Sequence, residues 1–177
     1  MRFLRFVPLC GWLLLAGCSS TPDTYAPPIQ REPLYGPQGG ALGHFVNMSA
    51  PNADVYFVGG ILPAEPGSPW RWTGKRPELR FHLPVTSNLR FVMDFSVPET
   101  TFPQRGPVTV SVFINGRLLD KVRCAKHGEV HFEKAVPADW LRTDASTIAA
   151  AEIDKVWIAS GDGAQLGFIL IRAGFVQ

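Results

Sequence analysis

The chain reads as an all-β protein, an antiparallel two-sheet β-sandwich of jelly-roll type with at most one short helical turn. Three observations predict this. Residues 41–177 fall into short runs in which apolar and polar residues alternate with period two. Those runs are rich in aromatic and β-branched residues, and Gly, Pro, Asn and Asp stand between them. The stretch is also of ordinary size for one domain with one core, and it shows no internal repeat.

Taken in order, the runs are Val55–Val58, Trp70–Thr73, Leu79–Leu83, Leu89–Phe95, Val108–Ile114, Leu118–Cys124, Val130–Glu133 and Gly167–Ile171. In Val108–Ile114 valines alternate with hydroxyl residues, as expected where one face meets a core and the other meets water. Asn115-Gly116 then supplies the pair that tolerates positive φ and closes a tight hairpin onto Leu118–Cys124. The segment Lys126–Glu129 reads as a second hairpin turn. Pro137 followed by Ala138–Arg142 predicts a single helical turn. Thr147–Ile153 is alanine-rich but reads as a strand leading to Val156–Ile158. Eight or more short strands in one domain predict two packed antiparallel sheets.

Ahead of the domain, Met1–Phe6 carries Arg2 and Arg5 and no acid, and an apolar stretch follows from Phe6 to Ala16. Charge followed by a short apolar run is the order of a secretory signal, and a membrane-spanning helix would need about 20 apolar residues. Leu15-Ala16-Gly17-Cys18 resembles the lipobox of bacterial lipoproteins. The resemblance implies cleavage of residues 1–17, acylation of Cys18, and, with Ser19 rather than Asp next, the outer membrane as destination. Several acyl chains on Cys18 would hold the chain to a membrane without a spanning helix. Residues 18–40 carry Pro22, Pro27, Pro28, Pro33 and Pro37 and few apolar groups, a composition that offsets little of its ordering entropy. They read as a tether, extended at about 3 Å per residue.

Cleavage changes the charge balance. Of 17 basic residues the leader takes Arg2 and Arg5, which leaves as many basic as acidic residues. A neutral chain with no basic run lacks the electrostatic footprint of a nucleic-acid binder. Of three cysteines, Cys10 leaves with the leader and Cys18 is lipidated, so Cys124 has no partner for an intrachain disulfide. It stands in an alternating run and reads as a small core residue rather than a reactive thiol.

Within the domain, Trp70-Arg71-Trp72-Thr73-Gly74, Ile114-Asn115-Gly116, Val136–Leu141 and the Gly161-Asp162-Gly163 to Leu166-Gly167-Phe168 stretch resemble the jelly-roll domains of galactose-binding-like and carbohydrate-binding-module type. The pattern covers roughly residues 45–175 and implies a β-sandwich of the kind that accompanies enzymes of surface polysaccharides. It transfers no functional residue.

Motifs of chemistry are few. The chain has no G-x-S-x-G, H-E-x-x-H, Walker loop or G-x-G-x-x-G opening a helix. Cys124, His127 and His131 are three metal-ligand types close in sequence, but a turn between them would point His127 outward and leave the tetrahedron incomplete. Asp94, Glu99, Asp154 and Asp162 are candidates for a glycosidase acid and base, with nothing in the sequence to set their separation. Trp140 is expected to pack a helical turn onto a sheet end, while the alternation around Trp157 does not decide its side.

Trp70 and Trp72 carry the best case for ligand binding. Two apart on a strand, they point to one face, with Arg71 on the other. Exposed, they would form an aromatic platform for the apolar C–H face of a pyranose ring. Large aromatics in strands are usually buried, so the expectation is that this face meets the core. Asp162, between two glycines, is expected to build a turn, with sugar hydroxyls or a structural calcium as its other possible ligands. The expectation as a whole is a lipid-anchored, non-catalytic envelope protein without cofactor that binds a glycan. The rival is an assembly lipoprotein that docks a protein partner of an envelope or secretion complex.

Overall fold

A computed structural model of the chain describes residues 42–65 and 67–177. The leader, Cys18 and the proline-rich stretch lie outside the described residues. In chain order the elements are β1 (Phe45–Asn47), a 3-10 turn (Ala53–Tyr56), β2 (Phe57–Ile61), β3 (Arg71–Phe81), β4 (Arg90–Val97), α1 (Phe102–Arg105), β5 (Val108–Ile114), β6 (Arg117–Cys124), β7 (Gly128–Ala135), a 3-10 turn (Ala138–Trp140), β8 (Thr147–Ile153), β9 (Trp157–Ile158), β10 (Gln165–Leu166) and β11 (Ile169–Val176).

Pairing is antiparallel throughout and falls into two layers. One sheet runs β1-β11-β4-β7 and the other β2-β3-β8-β5-β6. The chain passes repeatedly between layers: from β1 to β3, back to β4, over to β5 and β6, back to β7, over to β8, and back to β11. This eight-strand order is that of a jelly roll, to which β2 and the β9–β10 hairpin are additions. The first residues of β3 also pair with β11, Trp72 opposite Ile169 and Arg71 opposite Leu170, so the two layers are stitched into one continuous sheet.

Alternation makes the core. The inward side chains of β5 (Val108, Val110, Val112, Ile114) and β4 (Phe91, Met93, Phe95, Val97) are buried, and their neighbours in sequence are largely not. Phe81 of β3 meets Phe175 of β11 and Phe91 of β4 edge-on, at ring-centroid distances of 5.5 and 6.5 Å, and joins the layers. Cys124 is buried at the end of β6.

Several sequence expectations meet the structure directly. Asn115 and Gly116 have φ of 49° and 79° and close the β5–β6 hairpin, with Ile114 opposite Arg117. The turn at Ala138–Trp140 is present, and Trp140 packs on the core while its carbonyl accepts a hydrogen bond of 2.7 Å from Asn115. Two further helical turns, Ala53–Tyr56 and Phe102–Arg105, are additional to the single one expected. In the second, Pro103 stands in the first turn, where its fixed φ and missing N–H suit a helix start. The runs Trp70–Thr73 and Leu79–Leu83 are the two ends of one strand, β3, despite Pro77 between them. Pro77 is tolerated because β2 is irregular there and because β3 exchanges partners along its length, β11 at one end and β8 at the other. The segment around His127 is not a hairpin turn but a corner. β6 and β7 are edge strands of different sheets, and residues 125–127 carry the chain between layers.

Candidate functional site

The outer face of the β1-β11-β4-β7 sheet carries a connected set of five charged or titratable side chains in register. Its construction starts at β3. Thr73 points inward and is buried, and its hydroxyl donates to the Phe168 carbonyl at 2.9 Å and accepts from the Phe168 N–H at 3.0 Å. The backbone of Thr73 adds two hydrogen bonds to Gly167 and Phe168. Gly167 is required by this approach, since a Cβ there would lie 2.3 Å from the Gly74 carbonyl oxygen. Behind it, buried Arg105 donates to the Gly167 carbonyl at 2.6 Å and to the Thr101 hydroxyl at 2.6 Å. These contacts fix the backbone on both sides of Trp72.

With Thr73 inward, Trp72 points outward. The structure therefore corrects the expectation that the tryptophan face meets the core: Trp70 and Trp72 are half-buried and stand outside the core cluster, while Arg71 between them is the buried residue. The two indoles meet edge to face, centroids 6.4 Å apart at 87°. They form a corner rather than a flat shelf. Trp72 is paired with Ile169, and Ile169 in turn with Ser96 of β4, which lies opposite Glu129 of β7.

The neighbouring rows of the same face hold charge. Arg172 (β11), Asp94 (β4) and His131 (β7) lie opposite one another, and Val92 and Glu133 form the next row. Arg172 Nε donates to Asp94 Oδ2 at 2.5 Å, His131 Nδ1 meets Asp94 Oδ1 at 2.5 Å, His131 Nε2 meets Glu133 Oε2 at 3.3 Å, and Arg90 Nε donates to Glu133 Oε1. The result is an unbroken ladder, Arg172–Asp94–His131–Glu133–Arg90, alternating in sign across three strands. Hydrogen bonding to Asp94 and then to Glu133 raises the His131 pKa above its ordinary value. Partial burial pushes the Asp94 carboxyl up, but the bonds from His131 and Arg172 outweigh it and its pKa lies below the usual range. The bond from Arg90, with that from His131, lowers Glu133.

Other candidate residues are dispersed. Asp162 is exposed and accepts the Ala164 N–H at 2.9 Å, the bond of a turn, in the β9–β10 hairpin. Asp154 accepts the Thr109 N–H at 2.8 Å, and exposed Glu99 stands 3.9 Å from His127. Cys124 is buried, His127 sits on the corner and His131 on the outer face, so these three do not converge; among the described residues no three His, Cys, Asp or Glu side chains are arranged to hold a metal ion. Trp157 is half-buried and donates through Nε1 to Gln104 at 2.5 Å. Arg172, Arg90 and Glu133 were not singled out from sequence. Alternation puts each on an outer face, but their meeting depends on the register of β11, β4 and β7, which no local pattern encodes.

No protein-family model matches the chain, and no curated protein does. Among solved structures, a family 35 carbohydrate-binding module from Clostridium thermocellum aligns over 66% of this chain and 86% of its own, at 8% identity and a TM-score of 0.38. The CBM51-2 and INT domains of Clostridium perfringens ZmpB align over 72% of this chain, at 12% identity and a TM-score of 0.33; their complex with GlcNAc aligns over 74%, at 14% and 0.33. This chain spans 28% of the length of those two. The jelly-roll assignment rests on this chain's own strand order and register.

Proposed function

We propose that this protein binds a glycan without cleaving it, on the outer face of the β1-β11-β4-β7 sheet, while tethered to the outer membrane through acylated Cys18. The observation that carries the reading is the turning-out of Trp70 and Trp72. Two large indoles held outside an otherwise aromatic core by a rigid backbone leave apolar ring surface at a polar face, and a pyranose ring presents the matching surface. A corner between perpendicular indoles suits a single ring of a chain better than a flat crystalline surface.

The ladder supports binding without cleavage. Asp94 and Glu133 are two neighbouring carboxylates of this face, yet the His131 imidazole lies between them and each of their oxygens has a partner. The gap that a glycosidase pair keeps for a glycosidic oxygen or a water is taken here by the imidazole.

The test is binding of the full chain to purified envelope polysaccharides and peptidoglycan, beside Trp72→Ala and Trp70→Ala variants with unchanged thermal melting. Binding lost in a folded variant supports the reading; binding to no glycan overturns it. For the anchor, Cys18→Ser should abolish acylation and release the protein from membranes, and continued acylation would count against that part.

A protein-docking reading has one observation of its own. The edge strands β6 and β7 carry Arg117, Lys121 and Arg123, and Glu129, His131 and Glu133, which discourage pairing, whereas β2 is Phe57-Val58-Gly59-Gly60-Ile61 with Val58 half exposed. Capture of an envelope protein by cross-linking from position 58, and not from position 131, would favour it.

A further inference from the structure

We infer that the glycan taken by this face is acidic, its anionic groups held by the guanidinium groups of Arg172 and Arg90. This deepens the glycan reading and rests on it. The argument is one of donors and acceptors. Both oxygens of Asp94 are engaged, by Arg172 and His131, and both oxygens of Glu133, by Arg90 and His131. Both ring nitrogens of His131 face carboxylates. The two arginines close the ladder at its ends through Nε alone, and their Nη groups make no other hydrogen bond among the described residues. Their side chains are 46% and 47% exposed, so the outward forks are open to solvent. The polar groups of the ladder left without any partner are thus the guanidinium Nη donors, in the planar pairs that match a carboxylate, sulfate or phosphate in two-point contact.

Position adds a second constraint. Arg172 stands opposite Asp94, Arg90 is four residues further along β4, and the Asp94 carboxylate, the His131 ring and the Glu133 carboxylate stand in series between the two guanidinium groups. One anionic group cannot reach both forks, so the ligand is a chain with charges at intervals, one ring of which lies against Trp72. Glu129, opposite Ser96 in the Trp72 row, is the carboxylate of this face outside the ladder, and it opposes an anion.

The probes are polygalacturonate, its methyl-esterified form, dextran sulfate and neutral dextran, presented to the full chain. Polygalacturonate is expected to bind and its ester to bind at least about tenfold more weakly, the value of one charged hydrogen-bond pair. Raising salt should weaken the acid form and leave any residual ester binding unchanged. Arg172→Gln and Arg90→Gln should each cost a similar factor, and Glu129→Gln should strengthen binding. Dextran sulfate in place of polygalacturonate would assign the anion as sulfate rather than carboxylate. Equal binding of acid and ester, or binding abolished by Trp72→Ala but untouched by both arginine variants, would overturn acidity and leave the glycan reading standing. Failure of all four probes together with the envelope polysaccharides would overturn both. Should an arginine variant fail to fold, the ester and salt comparisons on the unaltered chain decide.

Discussion

Arg71 and Trp72 are placed opposite to what their polarity suggests, the cation in and the indole out. Arg71 is buried beside the first 3-10 turn, its Nη2 3.8 Å from exposed Asp54 and its Nε without a partner. Its apolar stem fills space while its charged end finds one weak ion pair and one long hydrogen bond, 3.4 Å from Nη1 to the Trp70 carbonyl. Replacing a poorly satisfied buried cation by an apolar side chain of similar length is often neutral or stabilising. Arg71→Met is therefore expected to leave the denaturant midpoint equal or higher. Phe81→Ala, which removes the ring joining the two layers, should lower stability by about 3–5 kcal/mol. Equilibrium unfolding of the two variants checks both, and a large loss in Arg71→Met would show that its contact with Asp54 matters more than the geometry indicates. The strict alternation of Trp, Arg and Trp on opposite sides was legible in sequence. Which side faced the core was not, because that depends on Thr73 and Gly167 meeting across 94 residues of chain.

At the scale of elements, the ladder ties β11, β4 and β7 with charges that titrate in opposite senses. His131 is raised, so its contribution is fully present below its unfolded value, about 6.5, and is lost as pH rises through the folded value. Asp94 and Glu133 are lowered, so theirs is fully present above the unfolded carboxylate values, about 4, and is lost as pH falls through the folded ones. Stability from the ladder should be greatest between roughly pH 4.5 and 6.5. Thermal melting across pH should decline on the alkaline side in the unaltered chain and lose that decline in His131→Asn; an unchanged alkaline limb in the variant would exclude His131 as its source. Being exposed, the ladder should also weaken in salt. The elements themselves were largely visible as alternating runs, the Asn115-Gly116 hairpin most clearly, because turn chemistry and period-two patterning are local. The corner at residues 125–127 was not, because a hairpin and a crossing between layers use the same short polar segment and differ only in where the next strand pairs.

For the molecule as a whole, six of the nine strand pairings among the described residues join strands that are not consecutive in sequence, which predicts slow folding and cooperative loss of the core. Cys124 reports on that loss. It is buried, and burial raises its thiol pKa, so labelling at the Cys124 peptide should be slow in the native state and rise with global unfolding. Fast labelling under native conditions would mean that the β6 end opens locally. Composition and periodicity by themselves determined the all-β class, the alternating core, the hairpin and the inward place of Cys124, since each follows from side-chain period, turn preference or apolar character. Only the tertiary structure decided that the strands order as a jelly roll, that β3 joins both layers, that Trp70 and Trp72 face outward, and that Arg172, Asp94, His131, Glu133 and Arg90 meet. Those outcomes depend on register between residues up to 129 positions apart in sequence, Phe45 opposite Gly174, and register is set by the packing of whole sheets rather than by any segment alone.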